Sequence, residues 1–322
     1  MRVSVIVPLY NMAAHIRRCL DSIAAQTFAD FEVIVVDDGS TDGGADAVLR
    51  YPDPRFRLIR QANAGPGAAR NRAIAEARGE LLAFLDADDA WLPEYLESSL
   101  LLLDQHGPAV AAVTSGYVEY PAGVSREPMW RARGVTDGVH RVTPRTPPLC
   151  LVHMLAYMSP CTTVARAEAV RRWGGFHQRN RCCYAEDASL WLKVLMHETV
   201  CFQFRPLVNV HRETSGLSGN LLRPRPVEPF LLDPGEIAQV CPPELRSLLD
   251  RFYAIRACKT AAVLGYWGQW REAARLFRRF VSWRDWRVPF FASALVGCTP
   301  LGALSGWIWR RGLRLGQPYA RL

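Results

Sequence analysis

Several signatures that would assign a protein class are missing from this chain of 322 residues. No pair of its nine cysteines has C-x-x-C spacing, and no Cys/His group has the spacing of a zinc site. Cys182 and Cys183 are adjacent, which is a poor arrangement for a structural disulfide, so the cysteines indicate a reducing compartment. The N-terminus lacks the charged-then-apolar layout of a signal peptide, because Pro8 interrupts a very short apolar run. We therefore expect a cytoplasmic location.

Lysine is also scarce, and the positive charge is unevenly distributed. Lys193 and Lys259 are the two lysines, so the net charge of +8 comes from arginine. Residues 251–322 hold thirteen Arg or Lys against two Asp or Glu, whereas the rest of the chain is slightly acidic. Such a basic end favours an anionic partner, although an arginine-rich genome would also produce it.

The first hundred residues alternate between strand and helix signals. Apolar runs begin at residues 3, 31, 55 and 81, and helical patterns fill the intervals between them. This alternation predicts an α/β fold with a mostly parallel sheet and helices on both faces. Residues 121–150 are rich in Pro, Gly and Arg and are expected to form a long loop, which in a compact enzyme is often a lid or an acceptor-binding region.

Carboxylates follow two of the predicted strands. Asp37 and Asp38 come after the second, and Asp86, Asp88 and Asp89 after the fourth. Ligands of open α/β sheets bind at the carboxyl ends of the strands, and carboxylate oxygens suit Mg²⁺ or Mn²⁺. Taken alone, each Asp-rich segment is equally compatible with an ordinary turn or helix cap.

Four motifs in fixed order now define a resemblance. Residues 5–11 (VIVPLYN), 35–42 (VVDDGSTD), 65–71 (GPGAARN) and 84–89 (FLDADD) resemble the motifs of family 2 glycosyltransferases, which have the GT-A fold and mostly invert the anomeric centre. The resemblance resumes at residues 173–176 (WGGF) and 185–192 (AEDASLWL). It implies a nucleotide-sugar donor, namely a UDP-sugar, and a divalent cation, Mn²⁺ or Mg²⁺. The acceptor would be a glycan or lipid-linked hydroxyl in surface polysaccharide synthesis.

The resemblance also implies a role for individual side chains. Asp187 would be the general base, with Glu186 as its rival. The metal would be held by Asp88 with Asp86 and with His211. The motif around His211 is incomplete, because Asn209 stands where the family has Arg. Donor contacts would come from five residues. The donor-binding residues are Pro8 and Tyr10, which would line the pocket of the nucleotide base, Asp38, which would hydrogen-bond that base, and Arg70 and Asp86.

The residues disfavour two other functions. A nucleotidyltransferase usually has a Gly-rich loop with a basic residue after the first strand, but Pro8 and Tyr10 occupy that place. A non-catalytic membrane-associated scaffold of the same fold is disfavoured because Asp88 and Asp187 are intact. The absence of G-x-G-x-x-G after the first strand argues against a Rossmann dehydrogenase.

Three regions are expected along the chain: a GT-A catalytic domain at 1–222, a Pro-rich linker at 223–243 and a helical region at 244–322. Within the last, residues 261–281 read as a helical hairpin, and residues 288–309 contain no charged residue. Six of the ten Trp lie beyond residue 250. We expect this region to attach the protein to the cytoplasmic face of the inner membrane, with no nucleic acid as partner.

Overall fold

A computed structural model describes residues 1–213 and 225–308 of the chain. These residues divide into two compact units, the first formed by 1–143 with 153–213 and the second by 144–152 with 225–308. The expected boundary at residues 222 and 223 lies outside the described residues, so the three-region division stays a prediction.

The first unit is organised around one sheet of ten strands. They are β1 (Val3–Leu9), β2 (Phe31–Asp37), β3 (Phe56–Arg60), β4 (Leu81–Phe84), β5 (Ala90–Trp91), β6 (Val110–Tyr120), β7 (Val124–Ser125), β8 (Gly138–Arg141), β9 (Thr163–Arg166) and β10 (Thr199–His211). The order is β3-β2-β1-β4-β9-β6-β10-β5, with β7 paired to β6 and β8 paired to β10.

Helices flank this sheet. They are α1 (Ile16–Ala24), α2 (Gly44–Leu49), α3 (Pro66–Glu76), α4 (Tyr95–His106), α5 (Glu127–Ala132), α6 (Pro148–Tyr157), α7 (Ala167–Arg172) and α8 (Ala188–His197). The division between the two units falls within α6.

The predicted α/β class is confirmed, but the sheet is mixed. Strands β1 to β4 are parallel to one another, and β10 is parallel to β6. Strand β9 is antiparallel to both β4 and β6, and β5 is antiparallel to β10. The direction of β9 could not be inferred from its apolar pattern, since a buried strand has the same composition in either direction.

Strand β1 continues through Pro8, where the sequence pattern predicted its end. Strand β4 pairs with β1 only as far as Ile6, whereas β2 accompanies β1 to Leu9. One side of β1 is therefore unpaired at Pro8, so the missing backbone N–H is tolerated there.

Alternate residues of the strands pack against helices on opposite faces. Val5 and Val7 join a buried cluster with Leu20 of α1 and Leu100 of α4. Phe84 points the other way and contacts the rings of Phe176 and Trp191 of α8 at centroid distances of 5.2 and 6.0 Å. This alternation is what a two-residue side-chain period requires, and it confirms helices on both faces.

Residues 121–150 are more structured than the long loop expected from their composition. They contain β7, α5, β8 and the start of α6. Trp130 of α5 is buried and its ring meets Tyr157 of α6 edge to face at 5.5 Å. The prolines and glycines of this segment thus separate short elements instead of preventing them.

The second unit is helical in its described part. Its helices are α9 (Pro229–Leu232), α10 (Gly235–Ala238), α11 (Arg246–Tyr266), α12 (Trp270–Phe280), α13 (Phe291–Gly297) and α14 (Pro300–Ile308). The hairpin expected at 261–281 is present, but its first helix is the last part of the 21-residue α11. Over residues 1–213 and 225–308, no single helix has the length and apolar character of a membrane span, whereas α13 and α14 have them jointly across a 95° bend.

Candidate active site at the carboxyl edge of the sheet

Three neighbouring strands end at one edge of the sheet. Strand β1 lies between β2 and β4 and is parallel to both, so their carboxyl ends meet. The backbone N–H of Asp38 donates to the carbonyl of Leu9 at 2.8 Å, and that of Leu85 to the carbonyl of Ile6 at 3.0 Å. The segments that follow these strands therefore start side by side, as the motif positions predicted.

The turn after β1 is held by a hydrogen bond to the segment that follows β2. The side-chain oxygen of Asn11, a residue in the left-handed region at φ 50°, accepts a hydrogen bond from the N–H of Thr41 at 2.8 Å. Pro8 is half-buried and Tyr10 is 49% exposed. An exposed aromatic ring at a sheet edge is available to a planar ligand, and the base-binding role of Pro8 and Tyr10 stays a prediction.

Asp38 is buried and its carboxylate holds the loop that leads into α3. Oδ1 accepts hydrogen bonds from Gln61 Nε2 and the N–H of Ala64, and Oδ2 accepts one from the N–H of Gly65, each at 2.8 Å. Both oxygens are thus engaged within the protein. The expected contact of Asp38 with a base stays a prediction, and its visible work is to shape residues 61–65.

Arg70 of α3 joins two distant carboxylates. Its guanidinium donates to Asp86 Oδ1 at 2.6 Å and to Glu186 Oε1 at 2.7 Å, and it lies 5.1 Å from the ring centre of Phe176. Burial works to lower the pKa of Arg70, but the charges of Asp86 and Glu186 raise the pKa overall, so the group stays cationic. Its donor contact stays a prediction.

The start of α3 is pressed against the loop that precedes α8. A Cβ added to Gly67 would lie 2.1 Å from the carbonyl oxygen of His177. Asn71 donates from Nδ2 to the carbonyl of Phe176 and accepts from the N–H of Phe176, both at 2.8 Å. Gly175 completes the contact at φ +67°, where a Cβ would clash with Asn71. The loop therefore has one position relative to α3.

This loop brings the two candidate bases into different environments. Glu186 is buried and paired with Arg70, and its carbonyl accepts from the N–H of His177 at 2.9 Å. Asp187 stands at the start of α8, where burial and the charge of Glu186 raise the pKa of its carboxyl to about 7, against the lowering effect of Arg70. An ion-paired Glu186 is poorly available to take a proton, so the geometry favours Asp187.

The carboxylates after β4 also differ from one another. The Asp86 side chain is 34% exposed, and Asp88 is half-buried with its carbonyl accepting from Arg18. Asp89 is buried and accepts at Oδ1 from the N–H of His211 at 2.8 Å. Burial, with the charges of Asp86 and Asp88, raises the pKa of Asp89 to about 8. Asp89 is thus a structural contact, whereas Asp86 and Asp88 are partly exposed.

His211 reaches the same edge from the end of β10. Its ring stacks on Tyr120 at a centroid distance of 5.1 Å, and its Nδ1 lies 2.7 Å from Glu213 Oε1. Because its N–H is bonded to Asp89, His211 is tied directly to the carboxylate cluster. Ser215 and Ser218, which follow it in the sequence, lie outside the described residues.

Two partly exposed carboxylates suit a cation that takes its other ligands from a substrate. In the described part of the chain, no group of three or more His, Cys, Asp or Glu side chains could by itself hold a metal ion. Mg²⁺ commonly binds one or two carboxylates and completes its coordination with water and phosphate oxygens. Asp86 and Asp88 fit that mode, and a cation beside them would offset the negative charges that, after burial, raise the pKa of Asp89.

Sequence reasoning missed several residues that build this site. Gln61 and the backbone of Ala64 and Gly65 fix Asp38, and Asn71 fixes the 175–187 loop. Asn71 stood within the 65–71 motif, which was the only signal available. Its partners are about a hundred positions away, so no local pattern could reveal the pairing.

The chain is similar to known transferases in sequence. A family model described as Glycosyl transferase family 2 matches residues 4–169, just over half of the chain. The chain is 46% identical over 101 residues to the uncharacterized glycosyltransferase alr2836 of Nostoc sp. strain PCC 7120, covering 30% of this chain and 31% of that protein. It is 43% identical over 110 residues to the succinoglycan biosynthesis protein ExoO of Rhizobium meliloti, covering 34% and 32%. The matched stretch thus spans less than a third of either relative.

Solved structures show the same fold over nearly the whole chain. The structure of S. aureus TarS 1–349 in complex with UDP-GlcNAc has a TM-score of 0.65 at 22% identity, covering 97% of this chain and 92% of that one. The mannosyltransferase PcManGT of Pyrobaculum calidifontis, in complex with GDP-Man and Mn²⁺, has a TM-score of 0.58 at 23% identity, covering 97% and 87%. At these identities the likeness shows the GT-A fold alone.

Proposed function

Because the chain belongs to glycosyltransferase family 2, it is a glycosyltransferase, and we propose that it transfers a sugar from a UDP-sugar to an acceptor hydroxyl with inversion. The observation that carries this proposal is the buried guanidinium of Arg70, which links the Asp86–Asp88 pair to the Glu186–Asp187 pair. The guanidinium of Arg70 thus holds the carboxylates proposed for the donor and the segment of the candidate general base at the same edge of the sheet.

Asp187 acts as the general base in this proposal. An inverting transfer is a single displacement at the anomeric carbon, so the acceptor hydroxyl must lose its proton as its oxygen attacks. The carboxylate of Asp187 takes that proton, while the bond between the anomeric carbon and the diphosphate oxygen breaks. A pKa raised to about 7 makes this carboxylate a stronger base than an ordinary Asp while leaving it largely ionised in mild alkali.

Asp88 and Asp86 would hold Mn²⁺ or Mg²⁺, with His211 beside them. When bound, the cation supplies positive charge to the leaving diphosphate. The other groups act on the donor. Pro8 and Tyr10 line the pocket of the nucleotide base, and Asp38 fixes the 61–65 loop and contacts the nucleotide base. Arg70 keeps Asp86 oriented. Mn²⁺ in the mannosyltransferase complex supports the choice of cation.

The acceptor and the setting are part of the proposal. The acceptor is a hydroxyl of a glycan or a lipid-linked glycan in surface or extracellular polysaccharide synthesis, which is supported by the likeness to ExoO. All nine cysteines lie in the described part of the chain and none is in a disulfide, which supports a reducing compartment. We therefore assign the catalytic unit to the cytoplasm.

A donor screen tests the proposal. The purified chain is mixed with Mn²⁺ and each of a panel of UDP- and GDP-sugars, and both thermal stability and nucleoside diphosphate release are measured. A UDP-sugar should raise the melting temperature and be hydrolysed slowly without acceptor. Stabilisation by a GDP-sugar alone would overturn the choice of UDP, and release of pyrophosphate from a nucleoside triphosphate and a sugar phosphate would favour the nucleotidyltransferase alternative.

A further inference from the structure

The last described helix of the chain has its large apolar side chains on the outside. Helix α14 buries Gly302 and Gly306, whereas Leu301, Leu304 and Trp307 are exposed, Leu301 to 66%. A helix on the surface of a soluble domain normally buries its large apolar residues and exposes its small or polar ones. The reversed arrangement in α14 therefore needs an explanation beyond packing within the chain.

The glycines explain how α13 and α14 are held. A Cβ on Gly306 would lie 1.8 Å from the carbonyl oxygen of Tyr266, and a Cβ on Gly265 would lie 2.2 Å from the Cα of Gly297. The two short helices thus approach α11 backbone to backbone. Their 95° bend is built into the folded unit by these contacts, so the pair does not form a straight apolar rod.

We call the exposed large apolar side chains of residues 283–307 the apolar face. Apart from the three residues of α14, it includes one residue of α13 and two Trp from the connection between α12 and α13, of which Trp283 is 78% exposed. The ring of Trp283 lies 6.1 Å from that of Phe291, the first residue of α13, which links the connection to the helix pair. The members are Trp283, Trp286, Val296, Leu301, Leu304 and Trp307.

Charge is arranged at the border of this face. Arg284 and Arg287 are exposed on the connection, and the guanidinium of Arg287 lies 4.7 Å from the ring centre of Trp286. No charged residue follows between Val288 and Ile308. Trp beside Arg, next to an uncharged apolar segment, matches the polarity gradient of an anionic bilayer surface, where indole rings lie at headgroup depth.

We propose that the apolar face binds one leaflet of an anionic phospholipid bilayer, with α13 and α14 lying in the interface and not crossing it. Leu301, Leu304 and Trp307 enter the acyl boundary, and Arg284 and Arg287 contact lipid phosphates. The one acidic residue of the connection between α12 and α13, Asp285, accepts hydrogen bonds from the N–H and the hydroxyl of Ser282. The inference is independent of the proposed chemistry, because it concerns only the second unit.

Vesicle flotation tests the face with a matched pair of variants. The full chain is mixed with vesicles of phosphatidylglycerol and phosphatidylcholine, and the bound fraction is measured. Leu304→Glu should weaken binding at least about ten-fold, because a buried leucine contributes that much to partition. Leu232→Glu is the control, since Leu232 of α9 is an equally exposed leucine of the same unit, at 60%, outside the face. Equal loss in both variants would overturn the proposal.

The charge and the depth are tested separately. Pure phosphatidylcholine vesicles, or the double variant Arg284→Ala with Arg287→Ala, should bind several-fold less, because each arginine near an anionic surface contributes about a five-fold factor. Lipids brominated near the headgroup should quench Trp fluorescence more than lipids brominated near the bilayer centre, and Trp307→Phe should reduce that quenching. Stronger quenching from the centre would indicate a span and overturn the in-plane arrangement.

Self-association is the competing occupant of the face. Sedimentation without lipid should give the same mass for wild type and Leu304→Glu, and circular dichroism should confirm that the variant is folded. If Leu304→Glu changes the oligomeric state and leaves vesicle binding unchanged, the face joins copies of the chain and the proposal is wrong. Sugar-nucleotide hydrolysis in detergent-free solution should be unaffected by Leu304→Glu, which separates this inference from the proposed function.

Discussion

Arg70 and Glu186 form a buried ion pair, with 2.7 Å between Nη1 and Oε1, at the point where α3 meets the loop before α8. The same guanidinium also holds Asp86. Two carboxylates that are distant in sequence, Asp86 and Glu186, are therefore oriented by the single guanidinium of Arg70. The consequences are measurable in stability and in catalysis.

Removing the guanidinium of Arg70 should lower the free energy of unfolding. Arg70→Met leaves Glu186 buried without a counter-charge, and breaking a buried pair in this way costs about 3 kcal/mol. Arg72→Met is the matched control, because Arg72 is exposed on the same helix and its pair with Glu76 contributes less than about 1 kcal/mol. Unfolding in urea, followed by circular dichroism, measures both. Equal midpoints for the two variants would contradict a structural role of Arg70.

Replacing the proposed base should stop transfer without stopping donor binding. Asp187→Asn keeps the shape of the side chain but cannot accept the proton, so kcat should fall by about 100- to 10,000-fold. Isothermal titration calorimetry should give a donor Kd close to that of the wild type, because the base contacts the acceptor. Retained transfer activity in Asp187→Asn would move the base to Glu186 or elsewhere.

The pH profile should report the same carboxyl group. The base is active when ionised, so kcat/KM should rise with pH through about 7, the raised pKa of Asp187, and level off above it. Glu186→Gln removes the neighbouring negative charge that raises this pKa, so the rising limb should move to lower pH. A limb that stays in place in Glu186→Gln would mean that another group titrates.

Turnover should depend on a divalent cation that is bound through Asp88. EDTA should abolish turnover and added Mn²⁺ or Mg²⁺ should restore it, since the cation is proposed to neutralise the leaving diphosphate. Asp88→Asn should raise the Mn²⁺ concentration needed for half-maximal activity, by about ten-fold or more for the loss of one charged ligand. Asp30→Asn, at an exposed site far along the chain, should behave as wild type. Turnover that resists EDTA would exclude the metal assignment.

Packing of α3 against the loop before α8 should tolerate no side chain at Gly67. Gly67→Ala places a Cβ where the carbonyl of His177 lies, and such overpacking costs about 1–3 kcal/mol. Gly235→Ala, in a helix of the second unit, meets only the end of the Asp233 side chain at 3.3 Å and should change stability by less than about 1 kcal/mol. Thermal unfolding of both variants measures the difference.

The sequence predicted those parts of the fold that depend on local pattern. The runs at Val3–Leu9, Phe31–Asp37 and Leu81–Phe84 are mostly apolar because these strands are buried on both faces, and their order implied parallel neighbours. The antiparallel course of Thr163–Arg166 and the short elements within 121–150 were not readable, because strand direction and short helices depend on tertiary contacts.

The candidate site was predictable as a set of motifs but not as a set of contacts. Asp38 and Asp86 were expected at the same edge of the sheet because each follows a strand of the alternating unit. That Arg70 would pair with Asp86 and Glu186 was not foreseeable, since a helix arginine in isolation looks like a solvated charge. The different roles of Glu186 and Asp187 follow from that pairing, which is why their sequence alone left two candidates.

The packing of α3 against residues 175–187 bears on which parts of the catalytic unit can change in sequence. Gly67, Arg70 and Asn71 fix the proposed base from the N-terminal half of the unit, independently of the intervening segment. Chimaeras that exchange residues 121–143 between relatives would therefore keep the reactive carboxylates aligned. The segment that we expect to meet the acceptor can thus vary in sequence without moving the carboxylates that we propose for the reaction.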